Sequence, residues 1–367
     1  MLGVVSPQPS ERYFLYDFAA CRQALQQAVQ PLDGLLQEQL QWHTEQSEDQ
    51  VCEALWLGAQ EARKVLVLIS GTHGVEGYAG SAIQRYVLEA LHAGGGTLPN
   101  NTALLVIHAL NPWGMQWARR CDGEGIDTNR NFVDFDKLPA PAPEFPELLR
   151  AFEIKDSHER RRELHTLALQ WGQRRYEEVL SGGQYQADWA PFYGGRAAGF
   201  SRRCIEALSA HWQLDQREQL VIDLHTGLGP WSFGELISDH PNGSVANDYG
   251  FQLFGPAVAC THSGESYSVP KRGLLDFHWH RMMQEKGCFL TLEFGTYGTE
   301  ALFRVLLDDH RFWWRHDGQQ EAALHAPVRE AMLRHFCPRD RFWQQSVLWR
   351  GWQVVNRGLE FFAQEQH

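Results

Sequence analysis

The stretch KVLVLISGTHGVEGYAG (residues 64–80) runs through apolar residues and then breaks into a glycine-rich turn carrying one histidine and one glutamate. VLVLIS has no polar alternation, which predicts a strand covered on both faces. His73 and Glu76 stand three residues apart just past its end. Three more segments have the same character: ALLVIH (103–108), QLVIDLH (219–225) and CFLTLEFG (288–295). Between the first two, Ile83, Val87 and Leu91 recur on one helical face before a glycine run. Strand, helix, strand implies a parallel crossover, and hence an α/β fold with a doubly wound, largely parallel mixed sheet flanked by helices.

Polar residues cluster where these strands finish. His73 follows the first, Asn111 the second, His225 closes the third and Glu293 ends the fourth. In open α/β sheets that edge binds ligands. A histidine and a glutamate at this spacing can share one metal ion if a third ligand comes from elsewhere, and His225 in VIDLHTG is the candidate. Two imidazoles and one carboxylate leave a position for water, as in catalytic zinc sites. Glu293, emerging from a covered strand, has the burial that raises a carboxyl toward neutrality and suits a general base. A second pair of equal spacing, His262 and Glu265 in THSGES, precedes SYSVPKRG and reads as a solvated loop; Lys271 and Arg272 could favour an acidic substrate group, and a solvated loop is the preferred reading for them too.

NPWGMQWARRCDGEGIDTNRNF (111–132) packs Asp127, Asn129, Arg130 and Asn131 into five residues. So dense a polar cluster costs desolvation unless it binds something, and a guanidinium beside an amide suits a carboxylate.

The chain has 367 residues, 43% of them hydrophobic, enough for one large core or two small ones. Its formal charge of -12 would repel phosphate backbones and anionic membranes, so nucleic acid is not an expected partner. No apolar run reaches the ~18 residues a span needs, and MLGVVSPQPSERYFLYDF lacks a basic start and long apolar stretch. A cytoplasmic setting is expected, with the seven scattered cysteines reduced. FAACRQALQQAVQPLDGLLQEQL (18–40) reads as helix broken at Pro31, and VCEALWLG as a strand. LPAPAPEFP (138–146) leads into a polar helical stretch, read as a helical insertion at about 138–215 within a single domain of 1–367. The aromatics of RFWWRH, RFWQQSVLWRGW and EFF are expected to pack in the core. Gly-x-Ser-x-Gly is absent, with GPWSFG around Ser232 only a near miss, so serine hydrolysis is poorly supported; Walker and dinucleotide patterns are absent too, and phosphoryl and hydride transfer drop out.

Taken in order, GTHGVEG, NPWG, RR, DTNRNF, DLHTG and EFGT resemble the zinc carboxypeptidases, and more closely a bacterial branch without an assigned substrate, of which GGQYQADWAPFYGG (182–195) also looks typical. The resemblance covers residues 64 to 300. It implies one zinc ion held by His73, Glu76 and His225, with Asp127 accepting from the far nitrogen of His73. It implies Glu293 as the base acting on water and Arg120, or Arg119 beside it, polarising the scissile carbonyl. Asn129 and Arg130 would hold the substrate carboxylate, and Tyr267, or else Tyr193, would serve as a mobile tyrosine. The implied substrate is a small peptide. Deacylation of an N-acyl amino acid, as in the succinylglutamate desuccinylase and aspartoacylase group, is the alternative, and a metal-binding module without catalysis a second.

Overall fold

In the computed structural model, residues 2–3, 9–315 and 322–364 are described; His316 and part of the quoted N-terminal stretch lie outside them. Eight strands form one sheet: β1 (Leu36–His43), β2 (Val51–Leu57), β3 (Lys64–Ser70), β4 (Thr102–His108), β5 (Glu218–Gly227), β6 (Gly234–Ser238), β7 (Val258–Cys260) and β8 (Gly287–Gly295). Their order is β1-β2-β4-β3-β5-β8-β6-β7. The central four, β4-β3-β5-β8, are mutually parallel, and antiparallel pairing enters only at β1, β2 and the junction of β6 with β8. The sheet is therefore mixed, mostly parallel, and α/β in class.

The uninterrupted apolar runs have a direct cause. Val65, Val67 and Ile69 pack on one face with Ile205 and Trp279, whereas Leu66 and Leu68 pack on the other with Ile83 and Val355. Helices Phe200–His211 and Asp276–Met283 cover the first face, and Gly77–Ala93 and Arg341–Gln364 the second. Each such side chain contributes ~1.5–3 kcal/mol by leaving water. The C-terminal helix comes close because of two glycines: a Cβ on Gly351 would lie 2.5 Å from Ile83, and one on Gly358 2.5 Å from Leu220.

One expectation holds only in part. The helix Phe18–Val29 does break at Pro31, in a 3-10 turn over Gln30–Leu32, but the remainder is not helical and enters β1. Leu36, Leu40 and Trp42 alternate with polar residues, and antiparallel pairing with β2 decides the conformation. The aromatic expectation holds in part, since Trp313, Trp343 and Phe362 are buried while Trp314, Phe342 and Trp349 are exposed. The seven cysteines are unpaired and buried. No helix among the described residues is long and apolar enough to cross a membrane.

The stretch 138–215 contains helices Phe145–Glu153, Ser157–Trp171, Gln173–Ser181 and Phe200–His211. Leu148, Leu167 and Leu180 join the cluster on one sheet face, and Ile205 and Leu208 the cluster on the other.

Candidate metal centre and cleft

After β3 the chain turns through Gly71 into His73, and a 3-10 turn over Gly74–Glu76 leads into helix Gly77–Ala93. A Cβ on Gly74 would fall 2.0 Å from the backbone of Gly114, so only glycine lets this turn seat against helix Pro112–Trp117. That helix starts at NPWG because Asn111 caps it, accepting from Gly114 N at 2.9 Å, and Pro112 needs no donor there. It stops at Ala118, whose backbone lies in the left-handed region (φ 52°).

Glu76 is the point of convergence. Its Oε1 lies 2.9 Å from His73 Nδ1 and its Oε2 3.2 Å from His225 Nδ1. The far nitrogens face carboxylates: His225 Nε2 shares a hydrogen bond with Asp223 Oδ2 at 2.6 Å, and His73 Nε2 lies 3.2 Å from Asp127 Oδ1. Thr72 Oγ1 donates to the other oxygen of Asp223 at 2.8 Å. One ligand atom from each of His73, Glu76 and His225 lies within 4.8 Å of the others. Ligand atoms ~2.1 Å from a common tetrahedral ion stand ~3.4 Å apart, so this buried N, N, O set fits a divalent cation of zinc type. Burial raises the carboxyl of Glu76, but His73 and His225 outweigh it and hold it well below the carboxylate range. Asp127 behaves alike, its burial outweighed by Arg120, Arg130 and His73.

Parallel pairing of β5 with β8 sets His225 directly beside Glu293. Glu293 accepts from Leu228 N at 2.9 Å, and burial, then the charge of Glu76, pushes its pKa up to about 7. Arg120 lines the same cleft, with Nε donating to Asp127 Oδ2 at 2.8 Å and Nη1 3.5 Å from Glu76. Arg119 points elsewhere, pairing with Asp309 at 2.9 Å against the ring of Trp313.

Arg130 is buried and lines the cleft. Its Nε and Nη2 donate to Ser181 O at 3.0 and 2.7 Å, and Nη1 to Asn129 O at 2.5 Å. Asn129 also lines the cleft, its Oδ1 accepting from Leu275 N at 2.7 Å. Ser181 and Phe192, both within 138–215, contribute a wall. Tyr267 stands at the rim, 55% exposed, whereas Tyr193 is buried, its carbonyl accepting from Asp127 N at 2.8 Å, and does not line the cleft. His262 and Glu265 lie on an exposed loop, as expected.

Asp223 is not among the residues singled out from the sequence, although a spacing of two along a strand puts it on the same face as His225. The preferred reading of Lys271 as part of a solvated loop is corrected. Lys271 lines the cleft, its ammonium donating to Val269 O at 3.0 Å and to Ser268 Oγ, and burial, then Arg130, lowers its pKa to about 8.

Among curated proteins none matches this chain. Among solved structures it is similar to bovine thrombin-activatable fibrinolysis inhibitor, with 12% identity and a TM-score of 0.47 over 87% of this chain and 97% of that one. It is also similar to carboxypeptidase A from Helicoverpa armigera, with 13% identity and a TM-score of 0.45 over 93% of this chain and 72% of that one. A family profile described as a protein of unknown function, DUF2817, matches residues 14–350, and the chain belongs to that family.

Proposed function

We propose that this protein is a zinc-dependent hydrolase that cleaves an amide or peptide bond next to a free carboxylate. The observation that carries the reading is the register of β5 with β8, which puts the Glu293 carboxyl beside His225 while His73 and His225 converge on Glu76.

His73, Glu76 and His225 would hold the ion, and Asp127 and Asp223 fix the two rings from behind so that their Nδ1 atoms face inward. A bound zinc ion supplies Lewis acidity that makes water nucleophilic near neutral pH. Glu293, poised near neutrality, takes a proton from the attacking water and returns it to the leaving amine. Arg120 is held by Asp127 with its guanidinium toward the cleft, where it stabilises the charge that develops on the carbonyl oxygen. Asn129 and Arg130 hold the substrate carboxylate, and Tyr267 at the rim closes over the bound chain. A module that only bound metal would need neither Glu293 nor Arg120 in this cleft.

The test is to measure bound metal and then compare hydrolysis of free-carboxylate peptides, their C-terminal amides and N-acyl amino acids. Free-carboxylate peptides are expected to lead. Faster turnover of N-acyl amino acids would make the protein a deacylase, equal cleavage of acid and amide would reject the role of Arg130, and no turnover of any would overturn the reading.

A further inference from the structure

We propose that a tryptophan-lined hollow outside the cleft is a second binding site of this protein, and that it takes a neutral sugar ring.

The hollow is open to solvent, about 550 Å³ in volume, and shares no lining residue with the cleft. That size falls within the ~300–1,000 Å³ of small-molecule sites. Four tryptophans from three parts of the chain meet there: Trp113 of helix Pro112–Trp117, Trp189, and Trp313 and Trp314 of helix Thr299–Arg315. The rings of Trp113 and Trp313 are 5.3 Å apart and inclined at 60°, and those of Trp189 and Trp314 5.2 Å apart and inclined at 30°. Trp314 is 49% exposed, so the second pair offers indole surface to solvent. Trp189, His310 and Trp314 also line an adjoining hollow, which extends the aromatic surface beyond the span of one ring.

Polar capacity is left over in these walls. The indole N–H groups of buried Trp113 and Trp313 have no acceptor among the described residues, although a buried indole ordinarily finds one. Arg119 gives Nε to Asp309 at 2.9 Å, and its terminal nitrogens make no bond among the described residues. His310 donates Nε2 to Trp189 O at 2.7 Å. Burial, then Arg119, lowers its pKa to about 4, so the ring is neutral and Nδ1 is an acceptor. Asp188 adds an exposed carboxylate.

A ligand has to match this mixture. An apolar molecule would leave the donors unpaired. An anion would meet Asp188, and the charge of Arg119 is already balanced by Asp309. A cation would meet the Arg119 guanidinium, which lies 4.6 Å from the ring centre of Trp313 and 5.8 Å from that of Trp113. A flat heterocycle carries its acceptors in one plane, whereas the two indole donors lie in planes inclined at 60°. A pyranose suits every part. Its C–H face stacks on an indole, and its hydroxyls radiate in several directions, accepting from indole and guanidinium and donating to Asp188 and His310.

Binding here does not depend on the hydrolase reading, and the full chain tests it directly. Calorimetry with glucose, N-acetylglucosamine, cellobiose and maltose is set against choline, inorganic phosphate and uridine. At least one sugar is expected to bind saturably, a disaccharide more tightly than its monomer. Trp314→Ala removes an indole and Asp188→Ala a carboxylate, both at exposed positions, and each should weaken sugar binding roughly tenfold. No saturable binding of any sugar, or sugar binding that neither variant weakens, would overturn the site. Tighter binding of choline, phosphate or uridine, lost in the same variants, would assign the hollow to that class and overturn the saccharide.

Discussion

Two segments of this chain, THGVE at 72–76 and THSGE at 261–265, carry the same Thr-His-x-x-Glu spacing and have opposite fates. The first follows a central strand with parallel neighbours on both sides, and its histidine and glutamate are buried. The second follows β7, a three-residue strand at the sheet edge, and its histidine and glutamate are exposed. Even the threonines differ in service, Thr72 supporting Asp223 behind His225 and Thr261 bonding Asp239. Spacing alone brings two donors together; a third needs a neighbouring strand that ends at the same height. β5 provides one for the first pair, and among the described residues no third donor joins the second.

The comparison can be broken most sharply by metal analysis. His73→Ala and His225→Ala are each expected to abolish both zinc stoichiometry and turnover, while His262→Ala and Glu265→Ala leave both at the parent level. Zinc lost from the second pair's variants would erase the distinction. Next in size, Glu293→Gln should keep the ion and lower kcat by about 10³-fold, within the range general-base catalysis supplies. The parent's pH profile sharpens this. A base must be ionised, and with the Glu293 pKa raised to about 7, kcat/KM should level off above that value and fall about tenfold per unit below it. If that acid limb persisted in residual Glu293→Gln activity, another group would own it.

The adjacent arginines give a comparison on a smaller scale. Arg120→Ala should cost on the order of 10²-fold in kcat, as loss of an oxyanion donor does. Arg119→Ala should cost about 3 kcal/mol in denaturant-measured stability by stranding buried Asp309, with kcat retained. Reversal of the two phenotypes would exchange their roles. The smallest change is expected for exposed Tyr267→Phe, a few-fold in KM at most.

How much was legible follows from what each signal depends on. The four central strands could be read because burial on both faces demands apolar residues at successive positions, a local and unambiguous pattern. β1 could not, because LLQEQL satisfies helical and strand periods alike and only its hairpin partner β2 decides. The cluster of His73, Glu76 and His225, with Glu293 beside it, was legible because its members sit at the ends of those readable strands. Lys271 and Asp276 were not, since SYSVPKRGLLDF has the composition of an exposed loop and becomes a cleft wall only where it folds against Asn129 and Asp127's neighbours. Between Arg119 and Arg120 the letters are identical, and the choice falls to their distant partners, Asp309 for the first and Asp127 for the second.

The sequence by itself therefore determined the class of fold, the edge of the sheet where the polar residues gather and the residue types found there, because hydrophobic periodicity and strand ends are local properties. The tertiary structure alone decided which of two equal motifs gains a third donor, which arginine enters the cleft, and that a polar loop buries a lysine and an aspartate in the cleft wall. Those outcomes depend on strand order, register and burial, which arise only when segments far apart in the chain are brought into contact.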